Sequence, residues 1–107
     1  MTHPLRDKAA VSGIGETAYT RGTPKSGLAL QLEASLAAIA DAGLHPHDID
    51  GVIPYFPGAG IAEDFVANLG LPDLKLSVFV PMGGATCVAA MQTAVMAVAT
   101  GVCNHVL

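Results

Sequence analysis

A chain of 107 residues that is 51% hydrophobic and only 13% charged can bury a core but has little charged surface for a free-standing domain, so it reads as part of a larger body. A formal net charge of -4 with only 5 Lys and Arg leaves no basic stripe to neutralise a phosphate backbone, which excludes nucleic acid as a partner. Cys87 and Cys103 lack Cys-x-x-Cys or Cys/His spacing, which argues against a zinc site or any other metal, and the start "MTHPLRDKAA" lacks the apolar run of a signal peptide; a reducing, cytoplasmic setting is expected.

Along the chain, "KAAVSGIG" is a short apolar run stopped by Gly13 and Gly15, the pattern of a buried strand and tight turn. "AYTRGTPKSG" follows as a loop. Over residues 28–42 the apolar residues Leu28, Leu32, Leu36 and Ile39 recur at spacings of four and three, which predicts an amphipathic helix with Ser26 as its cap and Gly43 as its stop. "IDGVIPYF" predicts the second strand, with Pro54 limiting the pairing of its end. "IAEDFVANLG" predicts a short helix closed by Gly70. "LKLSVFV" alternates Leu74, Leu76, Val78 and Val80 against Lys75, Ser77 and Phe79 as a strand does.

The next stretch, residues 84–100, is apolar nearly all round, interrupted only by Thr86, Gln92, Thr93 and Thr100. Such a helix is buried on several sides or spans a bilayer. Pro81, the Gly83-Gly84 pair, mid-span Gln92 and the lack of flanking Lys or Arg favour burial between two sheets. "NHVL" then begins a fourth strand, within which the chain stops. The order β-α-β-α-β-α-β calls for an α/β fold with a mostly parallel sheet and crossover helices, and residues 1–107 read as the front portion of a longer protein.

Three groups of residues could carry chemistry. Gly13-x-Gly15-x-x-Ala18 has the outline of a dinucleotide fingerprint, but Tyr19, Arg21, Gly22 and Pro24 follow where a helix is needed, so it reads as a structural turn and an oxidoreductase is disfavoured. His45 and His47 flank Pro46 with no third ligand nearby and read as loop residues. Cys87 lies in the first turn of the long helix, where the positive end of the helix dipole favours a thiolate and a nucleophile. Cysteine is also one of the residues most often buried, and composition does not choose between the two readings.

The segments "AAVSGIGET", "ALQLEASLAAIADAGLHPHDIDGVI" and "GGATCVAAMQTAVMAVATGVCNHVL" resemble the opening of a thiolase-superfamily protein, in the branch of lipid-transfer proteins or sterol carrier protein X-type thiolases. The resemblance implies a partial N-terminal thiolase-like domain whose apolar helix is the central one of a layered sandwich. In catalytic thiolases a nucleophilic cysteine heads that helix. Setting Gly101 against the family's terminal glycine places the nucleophile position on Gly84, so Cys87 has no counterpart there and is expected to be an ordinary buried thiol. Gly83, Gly84, Ala85 and Thr86 become the candidate pocket wall at the helix start, with backbone N–H groups free to bind an oxyanion.

The function implied is a lipid-transfer-type protein acting on acyl-CoA thioesters by retro-aldol C–C cleavage in steroid degradation. It needs no cofactor beyond the coenzyme A thioester substrate, and works beside a small partner carrying an OB-fold and a zinc ribbon. The alternatives are a non-catalytic thiolase-fold subunit binding acyl-CoA or a partner protein, and a Cys-dependent acetyl-CoA acyltransferase. The resemblance also implies a homodimer, or a heterodimer with a related subunit, formed by antiparallel pairing of Leu74, Lys75, Leu76, Ser77, Val78, Phe79 and Val80 with their two-fold copies.

Overall fold

A computed structural model describes residues 2–54 and 60–107 of the chain. Helix α1, Gly27–Asp41, begins where the Ser26 hydroxyl accepts the N–H of Ala29 at 3.0 Å, and it ends before Gly43, whose φ of +73° only glycine adopts freely. Of its expected inner positions Ile39 is buried and Leu32 is half-buried against the core, whereas Leu36 is exposed. Residues 46–48 make one 3-10 turn, held by the His45 N–H donating to the Asp48 carboxylate at 2.8 Å. Strand β1 is Gly51–Val52, and Tyr55 and Phe56 of its expected extension lie outside the described residues. Helix α2, Ala62–Leu69, turns Phe65 and Leu69 inward and closes on Gly70.

Strand β2, Leu76–Ser77, pairs parallel with β1 in the register Gly51 to Leu76 and Val52 to Ser77. The alternation of "LKLSVFV" is kept, since Leu74, Leu76, Val78 and Val80 are half-buried and Lys75, Ser77 and Phe79 exposed; strand pairing is limited to Leu76 and Ser77. A 3-10 turn, Gly83–Ala85, then leads into helix α3, Thr86–Ala99. Beyond it, Val106 bridges to Gly51 in parallel, so β1 lies between β2 and residues 104–107.

The expected four-stranded sheet is therefore not formed: the described chain is helix-rich, with one two-stranded sheet and a single added bridge. The first expected strand, residues 8–15, is not formed: Lys8 lies in a bend, and among the described residues 9–15 pair with no strand. Its Ile14 N–H instead donates to the Asp41 carboxylate at 2.9 Å, and Gly13 and Gly15 lie so close on α1 that a Cβ on either would strike its backbone at Ala38 and Ala34. A strand needs a partner ladder, and here a helix face replaces it.

Right-handed crossovers fix the layers. The path β1-α2-β2 moves one way across the sheet and β2-α3-Val106 moves back the other way, which sets α2 and α3 on opposite faces. Helix α1 joins α2, because Ile39, Val52, Phe65, Leu69 and Leu71 form one buried cluster. On the other face Gly51 looks onto Cys103, which is 2% exposed.

The expectation that α3 is buried on several sides is also corrected. Only Thr86 and Ala97 of this helix are buried, while Val88 is 76% and Met91 53% exposed. Its hydroxyls are satisfied locally: Thr86 Oγ1 accepts the Met82 N–H at 3.1 Å, and Thr93 and Thr100 donate to the carbonyls of Ala89 and Met96 at 2.8 and 2.7 Å. Among the described residues no helix is long and apolar enough to cross a membrane.

Candidate functional site

The stretch 9–15, helix α1, helix α3 and residues 104–107 line an open cleft of about 740 Å³. Small side chains make it possible. Gly13 and Gly15 let the N-terminal stretch lie on α1, and Ala38, Ala42, Ala90 and Ala94 keep the two helices' contributions shallow. Met91, Val95 and Val98 supply the apolar bulk on the α3 side.

Cys87 belongs to this cleft, and the expectation that it is buried is wrong: its thiol is exposed, and Cys103 is the buried one. An apolar helix does not declare which of its faces is covered, and α3 turns Cys87, Val88 and Met91 toward open space. The other expected wall residues behave differently. Gly83, Gly84 and Ala85 form the exposed 3-10 turn ahead of α3 and Thr86 is buried beneath it, and none of the four is among the residues lining the cleft.

Two titratable side chains line the cleft, Cys87 and His105. His105 falls in "NHVL", the stretch whose pattern predicts the start of a fourth strand. Its main chain is anchored by Asp50, whose carboxylate accepts the His105 N–H at 2.8 Å and the Asn104 N–H at 3.0 Å. Burial pushes the Cys103 thiol up from its ordinary value, the Asp50 charge adds to the rise, and Lys75 opposes it. His45 and His47 stack with ring centroids 5.3 Å apart, and among the described residues no group of three or more His, Cys, Asp or Glu is placed to hold a metal ion. The arrangement is thus an apolar receiving surface with one thiol and one imidazole at its wall, rather than a converged set of acid, base and nucleophile.

No protein-family model matches the chain. It is 40% identical over 103 residues to a steroid side-chain-cleaving aldolase of Thermomonospora curvata, a match covering 96% of this chain and 26% of that protein. It is 37% identical over 103 residues to a 17-hydroxy-3-oxo-4-pregnene-20-carboxyl-CoA lyase of Mycobacterium tuberculosis, covering 96% of this chain and 27% of that one. A solved structure described as an Ltp2-ChsH2(DUF35) aldolase matches with a TM-score of 0.80 and 41% identity over 91% of this chain and 25% of the other. The chain therefore spans about a quarter of the length of the proteins it matches. These findings correct the expected thiolase membership: the relatives are named for aldolase and lyase activity and none of the three is named a thiolase.

Proposed function

We propose that this chain contributes to an aldolase that shortens the side chain of steroid acyl-CoA thioesters. The observation that carries the reading is the match to two relatives, each running over 96% of this chain, both named for steroid side-chain or steroid acyl-CoA cleavage.

The chemistry does not call for a thiol nucleophile. In a β-hydroxy thioester a base takes the hydroxyl proton, the C–O bond becomes a carbonyl and the adjacent C–C bond breaks. Its electron pair passes into the thioester as an enolate, which then takes a proton at carbon. Of the titratable side chains at the cleft, Cys87 and His105, neither is assigned the acid or base role in this reading. A partner protein is part of the proposal, since the solved neighbour is described by two component names, Ltp2 and ChsH2(DUF35).

The test is a chimera. The matched quarter of the Thermomonospora curvata aldolase is replaced by this chain, and the product is assayed with a 17-hydroxy steroid acyl-CoA thioester for release of a 17-ketosteroid and a shortened acyl-CoA. Cleavage within about tenfold of the parent is expected. A folded chimera that cleaves nothing, or that transfers acyl groups only when free coenzyme A is added, overturns the reading.

A further inference from the structure

Asp50-Gly51 is the one Asp-Gly pair in the sequence, and there is no Asn-Gly. The fold calls for both members. Asp50 supplies the carboxylate that accepts the Asn104 N–H at 3.0 Å and the His105 N–H at 2.8 Å. Gly51 is buried where a Cβ would come within 3.1 Å of Val106 Cγ2 and 3.2 Å of Cys103 Sγ, so any side chain there crowds the sheet. The peptide unit between the two is held on both edges: the Asp50 carbonyl accepts the Lys75 N–H at 2.7 Å, and the Gly51 N–H donates to the His105 carbonyl at 3.1 Å.

Asp-Gly is also the pair in which a chain most readily reacts with itself, since no Cβ hinders the glycine nitrogen. We propose that Asp50-Gly51 is a modification site, converted to isoaspartate when residues 104–107 come away from β1 and protected while they stay. The Gly51 nitrogen bonds to the Asp50 carboxyl carbon, and the amide proton leaves with the carboxyl hydroxyl as one water; the product is a five-membered succinimide. A second water then opens the ring. Where it adds to the Asp50 main-chain carbonyl, the chain runs on through the side chain and gains one methylene, which breaks the register of Gly51 with Leu76 and Val106. In the folded chain each group that must move is engaged, the carboxylate by the N–H groups of Asn104 and His105 and the Gly51 N–H by the His105 carbonyl. The site thus records each opening of this part of the sheet, and it is independent of the reaction proposed above.

The 107-residue chain is aged in buffer and in concentrated urea at one pH and temperature, and isoaspartate at position 50 is read by electron-transfer fragmentation. It accumulates in urea and forms at least about tenfold more slowly in buffer. Gly51→Ala, which sets a Cβ beside the attacking nitrogen, slows it at least about tenfold in urea, where folding plays no part. His105→Pro, which removes the donor at 2.8 Å, speeds it at least about threefold in buffer. In aged chain returned to buffer, the amides of Leu107 and Ile53, bonded at 2.9 Å to the carbonyls of Gly51 and Leu107 in the unmodified chain, exchange at least about tenfold faster. Equal rates in buffer and urea overturn the proposal, as does a lack of isoaspartate at position 50 in urea. An unchanged rate in His105→Pro overturns the protective role of residues 104–107. The comparison of buffer with urea on the unmodified chain decides the matter even where the proline variant fails to fold.

Discussion

Asp50 and His105 are tied to each other twice: the His105 N–H donates to the Asp50 carboxylate at 2.8 Å, and the His105 carbonyl accepts the Asp50 N–H at 3.1 Å. The pair fastens residues 104–107 to the start of β1, and the same carboxylate takes the Asn104 N–H. Asp50→Ala removes the acceptor and leaves two main-chain donors without it, so a loss of about 1–3 kcal/mol is expected from urea unfolding. Asp50→Asn keeps one acceptor oxygen and should lose less. Equal stability of the alanine variant and the parent would show that these bonds add nothing net.

Gly15→Ala should detach the N-terminal stretch. A Cβ there meets the Ala34 carbonyl and the Ala38 N–H of α1, and backbone in a helix does not yield. Faster amide exchange at Ile14, whose N–H is held by Asp41, and a destabilisation of about 1–3 kcal/mol are the expected outcomes. Gly22→Ala, where nothing lies within 4 Å of the added methyl, tests a different cost, since its φ of +117° strains any side chain without a clash.

How far these elements could be read in advance follows from what each depends on. α1 and α2 were legible because their signals are local: apolar spacings of three and four, Ser26 ahead of the first turn, and Gly43 and Gly70 after the last. Residues 8–15 carry the apolar run of a strand, but a ladder partner is a matter of tertiary structure, and a helix stands where the sequence predicts a neighbouring strand. Cys87 was placed inside for a related reason. When Val88, Met91 and Val95 are apolar on every side, periodicity does not say which face is covered. The tie between Asp50 and His105 spans 55 positions and has no sequence signature.

Thiol labelling separates the two cysteines. Iodoacetamide at neutral pH should modify exposed Cys87 and spare buried Cys103, whose thiol is held in its neutral form by burial and by the Asp50 charge. Cys87→Ala in the chimera should leave C–C cleavage mostly intact. Because the Cys103 value is raised in the folded chain, its contribution to stability is present below the ordinary thiol value of 9.0 and is lost as pH climbs through the higher folded value. A Cys103→Ala variant should show a shallower fall over that alkaline window, checked by unfolding from pH 8 upward.

Dimerisation through β2 is testable at Ser77. Leu76 and Val78 send their N–H groups inward, to the carbonyls of Asp50 at 3.2 Å and Val52 at 3.3 Å, so proline at Val78 would break the chain's own sheet. Ser77 lies between them and turns its main chain to the outer edge. We propose that a two-fold copy pairs there, and Ser77→Pro should then raise the dimer dissociation constant at least about tenfold by light scattering. A dimer unchanged by Ser77→Pro places the contact elsewhere.

The threonines of α3 have a consequence for the newly made chain. Thr86, Thr93 and Thr100 fall seven apart on one stripe and spend their hydroxyls on the Met82 N–H and on the carbonyls of Ala89 and Met96. Hydroxyls that look like polar relief in the sequence are thereby engaged by the helix's own main chain, and with Val88, Met91 and Met96 exposed the helix surface is largely apolar, with Gln92 its exposed polar side chain. Apolar surface of this kind, exposed while a chain is still being made, is what drives mistaken association, so α3 is a segment that needs cover early.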